Sequence, residues 1–417
     1  MAATVLAWTA GASDFRMVSL TRDGSLTVTN TFTNGIVAVH GAPAVGGPWV
    51  VQRNTFSGGV STQVSVTVPS QAAFYRAQAL DLTGQMGFSN LVHAYGTLTT
   101  VAGAGGSTIS PSNKWQAAYE GGPATNAQLS SPHIAMADQA GNLYIADKGA
   151  HAIRKVTPDG LIHTVAGTGV ADYGPTDPAP ATTVALNEPN GIYVFPNGMF
   201  YLLDRGNGLI RKVDTNGLMT TVVDNFESIV LGRGLWVSPD ESLIFYAAGV
   251  EVRSWDTTNG VMIYVGGLAA VGNIAMDLNQ RLVVTDQALN QVYRIEPDLS
   301  KTVIAGSWNS SGGDGYPANQ TALVTVRAVW YLPTGAYFLA TDSSSQVWYV
   351  DLDGIIHLFL NGTSLAHAGD GDWFYAPLVP KVSHVRQITV NYDGDLLITE
   401  SDAGYVRKVR FLPYPQP

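Results

Sequence analysis

The chain has 417 residues, only 13% of them charged, and its 22 Lys and Arg against 32 Asp and Glu give a formal charge of −10. This balance argues against nucleic acid as a partner, because binding a phosphate backbone requires a surplus of basic side chains. The absence of cysteine excludes disulfides, thiolate metal sites and a cysteine nucleophile. No apolar run approaches about 18 residues, so we expect no membrane insertion. Few charges and 45 glycines suit a secreted, periplasmic or cell-surface bacterial β protein, which we expect to be monomeric.

The first 95 residues alternate apolar and polar positions in short segments, which turn signals such as Asp23-Gly24 and Asn34-Gly35 separate. The predicted strands are 15–20, 25–31, 37–39, 49–52, 63–68 and 73–79. About six strands in ninety residues predict a small β-sandwich. Such an accessory domain is a spacer or attachment module, or alternatively binds sugar through Trp49 and Tyr75.

From residue 98 onward, one module recurs. Residues 141–167 read GNLYIADKGAHAIRKVTPDGLIHTVAG, which predicts three strands joined by tight turns. Copies align on IRKV at 153 and 210, VRSW at 252, VYRI at 292, VWYV at 347 and VRKV at 406. Each copy also has an earlier apolar strand, so each contributes four strands. Six four-stranded units predict an all-β protein built on a six-bladed β-propeller.

The ends of the repeat region predict how the ring closes. The sixth copy stops at RKV, residues 407–409, without an outer strand. Residues 98–103, LTTVAG, match the outer strand of the first copy at 162–167, IHTVAG. We therefore predict that the N-terminal segment supplies the outer strand of the last blade. The predicted domains are a sandwich over 1–95 and a propeller over 96–417.

The motifs GNLYIAD, IRKV and TVAG resemble the NHL repeat over roughly residues 96–410, and the connectors GGPAT at 121–125 and GDGYPA at 313–318 are similar to those of bacterial NHL proteins. The resemblance implies a propeller that serves as an interaction platform. Residues 189–192 and 234–240 more distantly resemble the calcium-dependent gluconolactonase and phosphotriesterase propellers. Residues 132–135 resemble the peptidylglycine amidating lyases, which hold zinc through several histidines.

The residue before each inner strand is expected to lie at one mouth of the central channel. Reading round the ring gives His133, Asn190, Arg233, Gly272, Arg327 and Arg386, with Asn273 beside the gap and His384 two positions before the last arginine. Three guanidinium groups predict a site for a carboxylate, sulfate or phosphate. They would also repel calcium, so we do not expect a calcium or zinc cofactor. Alternatively, these arginines pair with the strand-end acids Asp147, Asp204, Asp286 and Glu400.

Four long connectors, 104–132, 168–189, 306–326 and 361–384, should crowd the same mouth. Their aromatic residues are Trp115, Tyr119, Tyr173, Trp308, Tyr316, Trp373, Phe374 and Tyr375. Aromatic rings in Gly- and Ser-rich loops provide flat platforms for sugar rings. The alternative is that they anchor the loops on the blades beneath.

Three functions remain open from the sequence, for a ligand expected to be a small anionic molecule or a glycan. The first is a metal-free lyase or hydrolase on an acidic glycan, in which the three ring arginines neutralise a carboxylate and His133, Tyr173 or Tyr316 transfers the proton. The second is a non-catalytic platform for a glycan or protein, using Trp308 and Trp373. The third is a metal-dependent lactonase or phosphotriesterase.

Overall fold

The computed structural model describes residues 5–7, 15–29, 31–68, 74–106, 112–176, 178–224, 229, 233–307, 310–364 and 366–413. Its N-terminal strands are β1 (Val5–Ala7), β2 (Arg16–Leu20), β3 (Ser25–Thr29), β4 (Gly35–Ala42), β5 (Val50–Ser57), β6 (Ser61–Ser65) and β7 (Phe74–Asp81). They form two sheets, β1-β7-β4-β5 and β2-β3-β6, which share one apolar core. This arrangement confirms the small sandwich. Tyr75 is 3% exposed in that core, so its ring cannot serve as a surface platform for sugar.

A short helix that the sequence analysis did not predict, α1 (Gly87–Ala94), connects the sandwich to the rest of the chain. Eight residues are too few for a helical apolar period to stand out, and the helix depends on tertiary packing. Tyr95 follows it, fully buried among Phe359, Phe374 and Phe411, and donates a 2.9 Å hydrogen bond to the Gly394 carbonyl.

The remaining strands belong to six antiparallel sheets within the described part of the chain, four with four strands and two with a short fifth strand at the edge. After β8 (Leu98–Ala102), the first three contain β9 (Pro132–Ala137), β10 (Leu143–Asp147), β11 (Ala152–Val156) and β12 (Ile162–Ala166); β14 (Pro189–Val194), β15 (Phe200–Asp204), β16 (Leu209–Val213) and β17 (Leu218–Asp224), with β13 (Ala179–Pro180) at the edge; and β18 (Leu235–Val237), β19 (Leu243–Ala248), β20 (Glu251–Asp256) and β21 (Gly260–Val265).

The other three complete the ring. They contain β22 (Val271–Met276), β23 (Leu282–Asp286), β24 (Gln291–Ile295) and β25 (Lys301–Ala305); β27 (Val326–Tyr331), β28 (Tyr337–Thr341), β29 (Gln346–Val350) and β30 (Ile355–Leu360), with β26 (Tyr316–Pro317) at the edge; and β31 (Val385–Val390), β32 (Leu396–Glu400) and β33 (Tyr405–Val409). Short 3₁₀ turns lie at Ala117–Tyr119, Ala124–Asn126, Lys148–Ala150, Ala181–Thr183, Arg205–Asn207 and Ala318–Gln320.

The chain is a β-propeller. Its inner strands β9, β14, β18, β22, β27 and β31 contact one another in that cyclic order. The sixth sheet gains its outer strand from β8, which pairs antiparallel to β33 with Leu98 opposite Val409 and Thr100 opposite Arg407. This pairing confirms the predicted closure by the N-terminal segment. It joins the two ends of the ring and gives the last sheet the same four-strand order as the others.

Each of three sheets contains its own buried ion pair, which joins the second strand to the third. Arg154 pairs with Asp147, Arg211 with Asp204 and Arg407 with Glu400, at 3.3, 2.9 and 3.1 Å. Asp286 has no such partner among the described residues and instead accepts backbone N–H groups of Ala269 and Ala270. These four acids therefore do not pair with the ring arginines, because an arginine on the adjacent strand of the same sheet, or a backbone amide, binds them instead. Internal ion pairing of the ring is nevertheless present in part, since Arg327 and Arg386 pair with two other acids, Asp342 and Asp402.

Candidate functional site

One end of the channel narrows to a cavity of about 20 Å³. Its lining residues are His133, Ile134, Asn190, Arg233, Gly272, Asn273, Arg327, Arg386 and Gln387. The structure thus brings together the seven residues predicted to meet at this mouth. We call Arg233, Arg327 and Arg386, with His133, the arginine ring. A cavity this small holds about one water molecule or a single small polar group.

Irregular backbone at the start of the inner strands aims these side chains at the channel axis. Asn190, Arg327 and Arg386 are each the extra residue of a β-bulge, since their flanking neighbours pair with adjacent residues of the second strand. Two positions earlier, Glu188, Thr325 and His384 have φ of 52°, 55° and 40°. A left-handed backbone conformation is costly for non-glycine residues, above all for the β-branched Thr325. Bulges change the direction of side chains and are common next to functional sites, so this backbone marks the mouth as a candidate site.

Two of the ring arginines pair with carboxylates but keep donors that no described residue satisfies. Arg327 donates from Nε to Asp342 at 2.7 Å, and Arg386 donates from Nη2 to Asp402 at 3.1 Å. Asp342 also lies 3.7 Å from Arg386 Nη1. Nη1 of Arg327 and Nε of Arg386 have no hydrogen-bond partner among the described residues. Burial and the neighbouring Arg386 lower the pKa of Arg327.

Arg233 differs from the other two because its described contact is neutral. Its Nη1 donates to the Gln287 side-chain oxygen of the next sheet at 3.3 Å. Within the described residues of this mouth, three guanidinium groups thus face the two carboxylates of Asp342 and Asp402. The ring retains positive charge and free donors, which is the arrangement that binds planar oxyanions.

His133 is the buried titratable group of the ring, with 9% of its surface exposed. Its Nδ1 lies 3.0 Å from the Ser131 carbonyl, which requires a proton on Nδ1 and leaves Nε2 as an acceptor. Burial, together with Arg386, Lys148 and Arg327, holds the pKa of His133 well below its usual value. The imidazole is therefore neutral at neutral pH and can accept a proton or a hydrogen bond.

His384 lies beside the ring carboxylates. Its Nδ1 is 3.7 Å from Asp342 and 3.6 Å from Asp402. Sequence reasoning named His384 but missed both acids, together with Gln287 and Gln387. The acids and Gln287 follow second strands by one or two residues, where the turn sequences of the copies no longer match.

The described members of the predicted aromatic platform are either anchoring or exposed side chains, and none of these described residues lines the small cavity. Trp115 stacks over the buried Arg154 guanidinium at 3.6 Å and contacts Tyr119. Trp373 donates from its indole nitrogen to the Tyr95 carbonyl at 3.3 Å. These positions match the anchoring alternative.

The remaining connector aromatics divide in the same way. Phe374 is fully buried, and Tyr375 packs on Trp373 and on Phe88 of α1. Tyr173 and Tyr316 are 52% and 55% exposed. Trp308 lies outside the described residues. Only the two tyrosines are thus placed in the described structure as solvent-facing surfaces that a ligand could reach.

Neither a metal cluster nor a membrane span is found in the part of the chain that the structure describes. No group of three or more His, Asp or Glu side chains is placed there to hold a metal ion. No helix there is long and apolar enough to cross a membrane. The donors that converge on the arginine ring are mostly guanidinium groups, which do not ligate cations.

The fold and ring define a β-propeller with a cationic channel mouth, and solved structures share this fold. A protein of unknown function from Bacteroides thetaiotaomicron VPI-5482 aligns with a TM-score of 0.60 at 12% identity, covering 96% of this chain and 99% of that one. Auxiliary nutrient binding proteins from Bacteroides ovatus ATCC 8483 and B. thetaiotaomicron VPI-5482 both align at 0.56, with 14% and 11% identity, covering 92% and 95% of this chain and 94% and 96% of theirs.

Sequence comparisons are less extensive. No protein-family model matches the chain. The protein SUPPRESSOR OF QUENCHING 1, chloroplastic, of Arabidopsis thaliana is 29% identical over 114 residues, which is 27% of this chain and 10% of that protein. The chain therefore spans about a tenth of the length of this relative.

Proposed function

We propose that the protein is an NHL-type propeller of the bacterial cell surface, periplasm or extracellular space that binds a small molecule or glycan through an anionic group at the arginine ring. The convergence of Arg233, Arg327 and Arg386 on one cavity, with buried donors that no described residue satisfies, carries this proposal. Buried donors without partners are costly, and a bound oxyanion would satisfy them.

The size of the cavity limits how the ligand sits. About 20 Å³ accommodates one small group such as a carboxylate, but no sugar ring. The body of the ligand would therefore lie outside, among the connectors that carry the exposed Tyr173 and Tyr316. The neutral His133 offers an acceptor for a hydroxyl group next to the anion.

Binding without catalysis is the simpler form of this function. Two of the similar solved structures are described as auxiliary nutrient binding proteins, and their likeness extends over more than nine tenths of this chain. At a sequence identity of 14% or less, the likeness supports a shared fold but not a shared function, because one fold hosts many functions. The charge of the ring therefore weighs more in the proposal than the names of these proteins.

A lyase acting on an acidic glycan is the second candidate, and His133 favours it. A neutral imidazole beside guanidinium groups can remove the proton from the carbon next to a carboxylate that those groups hold. The C–O bond at the β-carbon then breaks, which leaves a carbon–carbon double bond in one product, and the leaving oxygen takes up a proton from the imidazolium or from water. Tyr173 and Tyr316 lie outside the cavity lining, so His133 is the base in this version. A metal-dependent lactonase would instead lose its activity with a chelator.

Titration calorimetry with acidic mono- and oligosaccharides and simple dicarboxylates tests the proposal. We expect Arg233→Gln and Arg386→Gln to weaken binding about 10- to 100-fold, the effect of losing a charged hydrogen bond. The matched control is Arg294→Gln, which removes a guanidinium paired with Glu296 away from the ring. Equal affinity in all four proteins, or no binding of any anion, would reject the anion site. Appearance of an unsaturated product with the wild type, lost in His133→Gln, would decide for the lyase.

A further inference from the structure

A second, larger cavity lies in the channel at the end opposite the arginine ring. Its volume is about 400 Å³. Its walls come from the later residues of the inner strands and the turns that follow them, including Met136, Tyr193, Trp236, Met276, Trp330 and Tyr331. We call it the aromatic chamber. Ile134, Asn273 and Gln387 line both cavities, so the two are stacked along the axis with a narrow boundary between them.

The chemistry of the chamber is the reverse of that of the ring. No Asp, Glu, Lys, Arg or His is among the described residues that line it. Uncharged polar groups complete the lining: the amides of Asn273 and Gln387 lie at the inner end, and Asn391 and Tyr392 at the opening. The lining residues Tyr193, Tyr331, Trp236 and Trp330 add hydroxyl and indole N–H groups. Burial and the nearby Tyr392 raise the pKa of Tyr193 to about 12, so its hydroxyl stays protonated and can donate a hydrogen bond.

The N-terminal sandwich forms one side of the opening. A groove lined by Asn54, Thr55 and Phe56 of β5 continues into the chamber and shares Trp330 and Tyr392 with it. Three contacts hold the sandwich at this place. Phe56 stacks on Phe411 with the ring centroids 4.4 Å apart, and Arg53 pairs with Asp393 at 2.5 Å. The Asn54 side-chain amide donates a 2.9 Å hydrogen bond to the Ala94 carbonyl. The opening is therefore a composite of the propeller and the sandwich.

We propose that the aromatic chamber is a second binding site, which takes an uncharged, flat and mainly apolar small molecule with one or two hydrogen-bonding groups. Its volume lies in the range of about 300–1,000 Å³ that small-molecule pockets occupy. The aromatic walls favour a flat ring system, and the absence of charged groups disfavours ions. A free sugar would leave most of its hydroxyl groups without partners here.

The chamber ligand is distinct from the anion at the ring. The cavity at the arginine ring offers only about 20 Å³, so a molecule that fills the chamber does not fit into the ring. It would enter beside the sandwich and place its polar end against Asn273 or Gln387. In this proposal the N-terminal sandwich contributes to the site, because residues of its strand β5 line the entrance.

Binding of the uncharged fluorophore N-phenyl-1-naphthylamine tests the site, since its emission rises in apolar surroundings. We expect saturable binding to the full chain at one site, weakened about tenfold or more by Trp236→Ala and by Trp330→Ala. Trp255→Ala is the matched control, because this half-buried indole lies outside the chamber lining, and it should bind the fluorophore like the wild type.

A variant at the exposed opening of the chamber separates loss of binding from loss of folding, which either Trp→Ala variant could cause. Tyr392 is 50% exposed, so Tyr392→Arg should fold normally and still reduce fluorophore binding by placing a charge at the entrance. Circular dichroism of each variant verifies the fold. Absence of saturable binding, or equal binding by the wild type and the Trp236, Trp330 and Tyr392 variants, would overturn the proposal.

Discussion

Arg327 donates a 2.7 Å hydrogen bond to Asp342 through Nε, while Nη1 of the same guanidinium has no partner in the described part of the chain. The same carboxylate lies 3.7 Å from Arg386. One acid thus serves two arginines, and neither is fully satisfied. Asp342 both orients the guanidinium groups and competes with any anion that approaches them.

Asp342→Asn should separate these two effects. The asparagine oxygen can still accept from Arg327, but the negative charge is gone, so we expect anion affinity to rise about tenfold at low salt. The free energy of unfolding should fall by about 1–3 kcal/mol, because Arg327, whose side chain is only 15% exposed, loses its counter-charge. Calorimetry and urea denaturation measure the two quantities. Asp298→Asn in an exposed turn is the charge-matched control, and weaker anion binding by Asp342→Asn would show that positioning outweighs competition.

The ion pairs that recur between second and third strands should matter for stability. Arg211 and Asp204 are both 0% exposed, so Arg211→Met leaves a buried carboxylate without its partner and should lower the free energy of unfolding by about 3–5 kcal/mol. Arg253 occupies the equivalent position of the third sheet, where its side chain is 23% exposed and pairs with Glu251. Arg253→Met should cost no more than about 1 kcal/mol. Similar losses in urea denaturation would contradict this distinction.

The fold was predictable because its information is local and repeated. IRKV and its variants recur with the same strand pattern, so their alignment located the strands, the ring positions and the closing strand β8. A single alignment of the copies predicted that six residues, one before each inner strand, lie at the same channel mouth. The structure brings these residues to one cavity. Whether they bind an anion remains a prediction.

The parts that escaped prediction lie where the copies differ in sequence or contact one another. Asp342 and Asp402 pair with Arg327 and Arg386 of their own sheets, but from turns whose sequences do not repeat. Gln287 accepts from Arg233 of the preceding sheet, and Asp342 also lies 3.7 Å from Arg386 of the following one, so no spacing within a single copy encodes these two contacts. The aromatic chamber was missed for the same reason, since its walls come from several inner strands that are far apart in the sequence.

Closure of the ring by β8 gives a prediction about stability. Leu98 is fully buried in a core that contains residues of α1, β31 and β32, so Leu98→Ala should lower the free energy of unfolding by about 2–5 kcal/mol. Leu218 also begins an outer strand but is 42% exposed. Leu218→Ala should change the stability by less than about 1 kcal/mol. Comparable urea midpoints for the two variants would argue against a stabilising role for the closing strand.

The burial of His133 predicts a loss of stability on acidification. Its pKa in the folded protein is held well below the unfolded value by burial and by Arg386. The native state therefore keeps the imidazole neutral while the unfolded chain gains a proton as the pH falls below about 6.5. The stability is fully present above that pH and is lost below it, by at most about 1.4 kcal/mol for each pH unit.

Urea denaturation at pH 7 and pH 5, at constant ionic strength, isolates this effect when His133→Gln is compared with the wild type. The variant lacks the titrating group, so it should lose less stability between the two pH values than the wild type does. His163→Gln is the matched control, because that imidazole is 42% exposed on an outer strand, and it should follow the wild type. An equal loss of stability in all three proteins would mean that His133 takes up a proton in the folded state as easily as in the unfolded chain. The neutral base that the lyase version of the function requires would then be absent below neutral pH.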